Sequence, residues 1–387
     1  MAVSAAIVLA FAMGSLMPAD STMRFVRHEV AAGLKGGYQT AAVDVNGDGR
    51  PDLVALASGM SELVWFENPS WERRVLAGGF ERLINFAAWD HDGDGIPLFV
   101  VASGFSMEAK QSSGKVHVLE RRGDPRGLWS AVEIDRLPTS HRLRWADIDG
   151  TGGMVAVNAP LTGAAAEGPG FRGRTPLVCY RPGEWKRRVI DETNEGVVHG
   201  LDVIDWDGDG RDEILTASFT GIHLFDRDAG GRWSRTGLAK GNPAPWPKCG
   251  SSEIAVGRAG GQRILAAIEP WHGHEVVVYT AARGGGWERH VIDDSLVEGH
   301  TVTLADLDGD GDDEIVAGCR GKGHAVYIYH AVDKGAAAWR RTLLDDRVAA
   351  ASCVVADLNG DGRPDIACIG SSTANLVWYE NAPAAMK

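Results

Sequence analysis

Three histidines, His141, His199 and His300, each stand six residues ahead of an acidic, glycine-bearing phrase, and Tyr38 holds the same place ahead of a fourth copy. The next position carries Gln39, Asn85, Arg142, Gly200, Thr301 and Ser352. Imidazoles titrate near neutrality, so they can take or give a proton or, when neutral, ligate a transition metal. Arginine is a fixed cation suited to stabilising a developing oxyanion. Two compatible chemistries follow. In the first, His141, His199, His300 or Tyr38 removes a proton α to a sugar carbonyl or carboxylate. Arg142 or a cation then stabilises the enolate, and a second His or Tyr protonates the leaving oxygen, which is β-elimination. In the second, His199, His274 and His300 hold Zn2+ or another divalent transition metal as a Lewis acid. No G-x-S-x-G, P-loop or dinucleotide fingerprint is present, and Glu108, Glu167 and Glu269 show no pairing suited to two-carboxylate hydrolysis.

The acidic phrases are the ruler for these positions. They read DVNGDGRPDLV from Asp44, DWDGDGRDEIL from Asp205, DLDGDGDDEIV from Asp306 and DLNGDGRPDIA from Asp357, with worn copies from Asp90 and Asp147. Alternate oxygen ligands in a tight turn suit Ca2+. The four ligand sets are Asp44, Asn46, Asp48 and Asp52; Asp205, Asp207, Asp209 and Glu213; Asp306, Asp308, Asp310 and Glu314; and Asp357, Asn359, Asp361 and Asp365. The last acid comes at the ninth position, so these are not EF-hands. Leu98 in the Asp90 copy, and Thr151 and Val155 in the Asp147 copy, predict weak or no binding there. Such ions would pin strand hairpins rather than do chemistry, and they suit the high calcium outside cells.

Recurrence at roughly 50 residues implies a solenoid, propeller or array. A short alternating strand recurs seven times, from LVWFEN at Leu63 to LVWYEN at Leu376, whereas a Trp-led strand recurs six times, from Trp71 to Trp339. FVRHEV from Phe25 supplies the missing seventh copy at the other end of the chain. The expectation is an all-β, seven-bladed propeller with four-stranded blades, closed by the N-terminal strand joining the C-terminal blade. Blade five keeps its strands from Ser252 but lacks the acidic loop, with Gly257 where the first Asp would stand. The histidines then begin innermost strands, opposite the calcium loops, and converge on the mouth of the central channel. Loops between second and third strands reach the same face. They bring Trp271, His272 and His274 of blade five, Arg320, Lys322 and His324 of blade six, and Arg172 and Arg174 from a long insertion in blade three. Trp271, His272, Arg320, Lys322, Arg172 and Arg174 are the candidate substrate-binding residues, whereas Arg144 and Asp202 read as a structural ion pair.

The D-x-[DN]-G-D-G-x-x-[DE] phrase running into an apolar strand resembles the FG-GAP/VCBS repeats of calcium-binding propellers, from Phe25 to Asn381. The His-bearing strand starts resemble the propeller of the aldos-2-ulose dehydratases and, more distantly, seven-bladed polysaccharide lyases. The cupin-type domains of those dehydratases have no counterpart in these 387 residues. The resemblance implies a carbohydrate at the mouth. The expected function is therefore a lyase or dehydratase acting by β-elimination on a keto-sugar or a uronate-containing glycan. The alternative is a non-catalytic propeller binding a glycan or a protein.

Composition agrees. Fifty glycines suit many turns, and a net charge of −13 argues against nucleic acid or anionic membrane as a partner. The five cysteines are scattered, with no C-x-x-C, and read as small buried apolar residues. The apolar run from Ala2 to Met17 reads as a cleaved export signal over residues 1–20, leaving one domain over 21–387 with no membrane span. A secreted or periplasmic location follows, and the sequence specifies no oligomeric state.

Overall fold

The computed structural model describes residues 23–383, so the expected export signal lies outside the described residues. Seven antiparallel sheets of four strands form the blades. Blade seven is Ala350–Ala356, Asp365–Gly370 and Asn375–Ala382, completed by the N-terminal strand Arg24–Ala32, with Phe25 opposite Asn381 and His28 opposite Trp378. The ring therefore closes as expected. One 3-10 turn, Ala109–Gln111, interrupts the strands, and no helix among the described residues is long and apolar enough to cross a membrane.

Second strands such as Asp52–Ala57, Val155–Pro160, Glu213–Ser218 and Asp365–Gly370 are buried throughout. Both of their faces are covered by neighbouring blades, which explains continuous apolar runs where a half-exposed strand would alternate. The cores lie between blades. Val54, Leu56 and Trp65 of blade one pack on Phe86, Phe99 and Val101 of blade two. Each such side chain contributes about 1.5–3 kcal/mol on burial.

The acidic loops are tied down by their own carboxylates. Asp44 accepts the N–H groups of Gly47 and Gly49 at 2.8 Å each, and both glycines take positive φ (74° and 83°), where a side chain would be strained. The ninth-position acids are buried. Asp52 accepts Val45 N–H at 2.9 Å and Asn68 N–H at 2.8 Å, and Asp365 repeats this with Leu358 (3.0 Å) and Asn381 (2.8 Å). Both oxygens of these two aspartates thus pin the loop to the third strand. Glu213 differs: one oxygen accepts Trp206 N–H at 2.7 Å, while Oε1 is buried with no partner among the described residues.

Neighbouring blades are joined by a recurring clasp. Tyr180 donates to Asp135 at 2.6 Å beside Arg187, and Tyr329 donates to Asp293 at 2.7 Å beside Arg341. At the closure, Tyr379 donates to Asp345 at 3.0 Å beside Arg27. Arg27 stands opposite Tyr379 as Arg341 stands opposite Tyr329, so the N-terminal strand supplies the same part as any fourth strand.

Two expectations are corrected here. Cys353 and Cys368 face each other across adjacent strands and form a disulfide, whereas Cys179, Cys249 and Cys319 remain free. In blade five, Arg258 rather than Gly257 takes the place of the first loop Asp. Its N–H and C=O bond Asp313 at 2.7 Å each, as those of Asp147 bond Asp212. The register shifts by one residue, so Ser252 and Glu253 hold the positions of His199 and Gly200.

Candidate functional site

The inner strands of blades one, three, four and six each carry a bulge at one residue: Tyr38, His141, His199 or His300. A bulge leaves its residue out of the ladder and re-aims the side chain. Here it turns all four toward the channel mouth, where His199 is the hub. Its ring centroid lies 4.9 Å from that of His141, 5.1 Å from His300 and 4.8 Å from His272. Tyr38 lies edge-on to His300 at 5.2 Å.

Hydrogen bonds link Tyr38, His141, His199 and His272 through Arg142 and Glu253. Tyr38 Oη sits 2.7 Å from His141 Nε2 and accepts from Arg142 at 3.3 Å. Arg142 also donates to Glu253 Oε1 at 2.7 Å, and that same oxygen lies 2.9 Å from His199 Nδ1. His199 Nε2 is 3.2 Å from His272 Nε2, and His272 Nδ1 is 3.4 Å from an Arg320 amino group. His300 Nδ1 donates to the Ala351 carbonyl at 2.6 Å, leaving Nε2 buried and without a partner among the described residues.

Burial, reinforced by the positive charge of Arg142, lowers His199 to about 4 even though Glu253 pulls the other way. Burial also holds His141, His272 and His300 well below the usual histidine range, so all four rings are neutral at pH 7. Burial opposes ionisation of Glu253, but the Arg142 charge and the His199 hydrogen bond outweigh it and bring the carboxyl down to about 2.

The sequence groups His274 with His199 and His300; the structure brings His272 to them instead. His272 sits at φ 47° in a turn closed by Gly273 N–H to Pro270 C=O at 2.7 Å, which directs its ring inward and leaves His274 exposed. One ring nitrogen from each of His199, His272 and His300 lies within 4.8 Å of the other two. Two of the three rings, His199 and His300, have Nδ1 engaged by Glu253 and the Ala351 carbonyl, which leaves their Nε2 atoms for a divalent transition metal. Among the acidic loops, the Asp205 and Asp306 sets bring three carboxylates equally close, and so does the worn Asp90 copy through Asp90, Asp92 and Asp94.

Arg142 presents no free charge at the mouth, because it is 5% exposed and neutralised by Glu253. Arg320 is the cation that reaches the histidines, and Trp271 packs on His272 with ring centroids 4.8 Å apart. Arg172 lies over the Trp246 ring and pairs with Glu195, Arg174 lines a separate cavity of about 310 Å³, and Lys322 is exposed on the rim. These three are not brought to the cluster. Arg144 donates to the Leu143 carbonyl and Asp202 accepts Val203 N–H, so their charges attract without the direct pairing expected. Glu269 is fully buried between Tyr279 and Arg289, and Glu167 pairs with Lys110 on the surface.

Glu253 and Phe105 are the residues that sequence reasoning missed. The Phe105 ring lies 5.4 Å from that of His141. Below the mouth, a cavity of about 430 Å³ is lined by Gln39, Asn85, Arg142, Glu253, Thr301 and Ser352, one residue from the same register of six blades.

Two stretches, residues 44–101 and 306–368, match the FG-GAP-like repeat family. Residues 113–282, which carry His141, Arg142, His199, Glu253 and His272, match the family described as the β-propeller domain of aldos-2-ulose dehydratase. The aldos-2-ulose dehydratase of Phanerodontia chrysosporium is 29% identical over 306 residues, covering 69% of this chain and 33% of that protein. The chain thus spans about a third of the length of this relative. The WD40 β-propeller domain of Doa1 overlays with a TM-score of 0.57 at 13% identity, covering 92% of this chain and 97% of that one, a likeness of fold alone. Rhamnogalacturonan lyase YesW gives a TM-score of 0.49 at 16% identity, covering 93% and 76%, too loose an overlay to carry an argument.

Proposed function

We propose that the channel mouth binds a carbohydrate and catalyses β-elimination, as a sugar dehydratase or glycan lyase acting on a keto-sugar or uronate. The observation that carries this reading is the convergence of Tyr38 and four neutral imidazoles, most of them in the stretch matching the dehydratase propeller.

The proton-moving pair is His141 and Tyr38. When the Tyr38 hydroxyl turns to the substrate, the Nε2 lone pair of His141 is released to take the α-proton. Tyr38, held by Arg142, gives its proton to the departing oxygen as the carbon–oxygen bond breaks. The 2.7 Å separation lets His141 return the α-proton to Tyr38, so the pair ends as it began. His199, His272 and His300 would hold a divalent metal such as Zn2+, which when bound polarises the substrate carbonyl or carboxylate. Arg320 and Trp271 border the trio and orient the sugar.

Calcium belongs to the framework. The acidic loops would hold Ca2+ structurally, and the unpartnered Oε1 of Glu213 supports that assignment. Calcium loops and a disulfide both suit a secreted or periplasmic protein.

The test is growth of unsaturated-product absorbance with keto-sugars and uronates. His199→Ala and His300→Ala should abolish it. Sugar binding without product from any of these substrates would favour a non-catalytic glycan-binding propeller.

A further inference from the structure

Glu253 comes from the one blade that lacks an acidic loop, yet its carboxylate joins the two halves of the mouth. Oε1 receives Arg142 at 2.7 Å and faces His199 Nδ1 at 2.9 Å. Arg142 holds Tyr38, which holds His141, and His199 leads to His272 and, through ring packing, to His300. Glu253 thus bridges His199 of the trio and the Arg142 that holds the proton-moving pair.

The chemistry of these partners fixes a tautomer. A guanidinium only donates, so Glu253 is held as a carboxylate, and a carboxylate only accepts. The hydrogen of neutral His199 therefore sits on Nδ1, and its lone pair sits on Nε2, toward His272 and His300. Ser252 Oγ, 3.3 Å from the same Nδ1, also receives the N–H of His272 and is compatible with that assignment. A second-sphere carboxylate of this kind orients a metal-ligating imidazole and raises its basicity.

We infer that Glu253 is a positioning residue that sets the Nδ1–H tautomer of His199 and so prepares the histidine trio for a divalent metal. The inference rests on the proposed metal role of the trio and goes beyond it by naming what orients the trio. Glu253→Gln keeps an acceptor oxygen for both partners, whereas Glu253→Ala removes it. Because Glu253→Ala leaves Arg142 buried and unpaired, the double variant Glu253→Ala with Arg142→Met is carried alongside.

Two readouts are taken on the metal-free full chain. Long-range 1H–15N spectra of 15N-histidine-labelled protein report the His199 tautomer, and competition titration with Zn2+ alone reports affinity. The expected result is an Nδ1–H His199 in the wild type and in Glu253→Gln, and a mixed or Nε2–H ring in both alanine variants. Zinc affinity should fall about 10–100-fold in the alanine variants and less in Glu253→Gln. An unchanged tautomer in the alanine variants would overturn the inference, and so would zinc affinity within about twofold of wild type. If wild type binds no zinc while the tautomer still follows Glu253, the metal role of the trio falls and Glu253 stands as what orients His199.

Discussion

The Tyr38 hydroxyl meets His141 Nε2 at 2.7 Å although the two residues are 103 positions apart and belong to blades one and three. The two bulges turn them toward each other across the channel mouth, and the bond between them is the centre of the proposed proton transfer. Tyr38→Phe keeps the ring against His300 and removes only the hydroxyl. It should lower kcat about 10²–10⁴-fold with KM little changed. A loss confined to KM would instead make Tyr38 a binding residue. Steady-state kinetics with a substrate that gives product decides between them.

His272 and His274 are two residues apart but face opposite ways. His272→Ala should remove zinc binding by the trio, whereas His274→Ala, on an exposed side chain, should leave affinity within about twofold. Calorimetric titration of both variants with Zn2+ checks the inward placement of His272. Equal losses would mean that both rings reach the metal.

Calcium should act on stability and not on chemistry. Chelation should lower Tm, because an ion bound only to the folded state stabilises it by mass action. Glu213→Gln should reduce that calcium-dependent rise, since it neutralises the carboxylate whose Oε1 stands free. Differential scanning calorimetry with and without Ca2+ measures both. A Tm indifferent to calcium would refute a structural ion.

The ring closure depends on Arg27, which donates to the buried Asp345 at 2.9 Å. Arg27→Ala should destabilise the fold by about 1.5–3 kcal/mol, the range for a hydrogen bond to a charged group. Tyr379 and Arg347 remain on the same carboxylate and should limit the loss. Urea unfolding curves provide the measurement, and an unchanged midpoint would show that the N-terminal strand closes the ring without this clasp.

Acid should open the same clasps. Burial opposes the charge on Asp135, Asp293 and Asp345, but arginine, tyrosine and Ser295 hydrogen bonds outweigh it and hold all three below the usual aspartate value of 3.8. A carboxyl with a depressed folded-state pKa contributes stability that is present above its unfolded value and lost as pH falls through the folded one. Stability from these groups should therefore be intact above about pH 4 and decline below it. A Tm series across that range tests the sign.

The fold was legible because repetition is visible in a single chain: seven alternating strands and a stray N-terminal copy leave one closed arrangement. The His141, His199 and His300 register was legible for the same reason. Glu253 was not, because blade five has lost the acidic ruler and the count fell one residue short; only the Arg258–Asp313 bonds restore it. The inward turn of His272 depends on a positive-φ residue that breaks strand alternation, which periodicity does not reveal. Neutralisation of Arg142 by Glu253 crosses the channel over 111 positions, beyond any local pattern. The Cys353–Cys368 pairing could have been found, since the same hairpin register sets Val302 opposite Ala317 in blade six.

The most direct test of elimination at this mouth is exchange of the substrate α-proton, followed by NMR in deuterated water with keto-sugar and uronate substrates. The account predicts that wild type incorporates deuterium at the α-carbon or releases an unsaturated product, and that His141→Ala and Tyr38→Phe lose the activity while still binding sugar. A bound sugar recovered with its α-proton intact from every such substrate would contradict it.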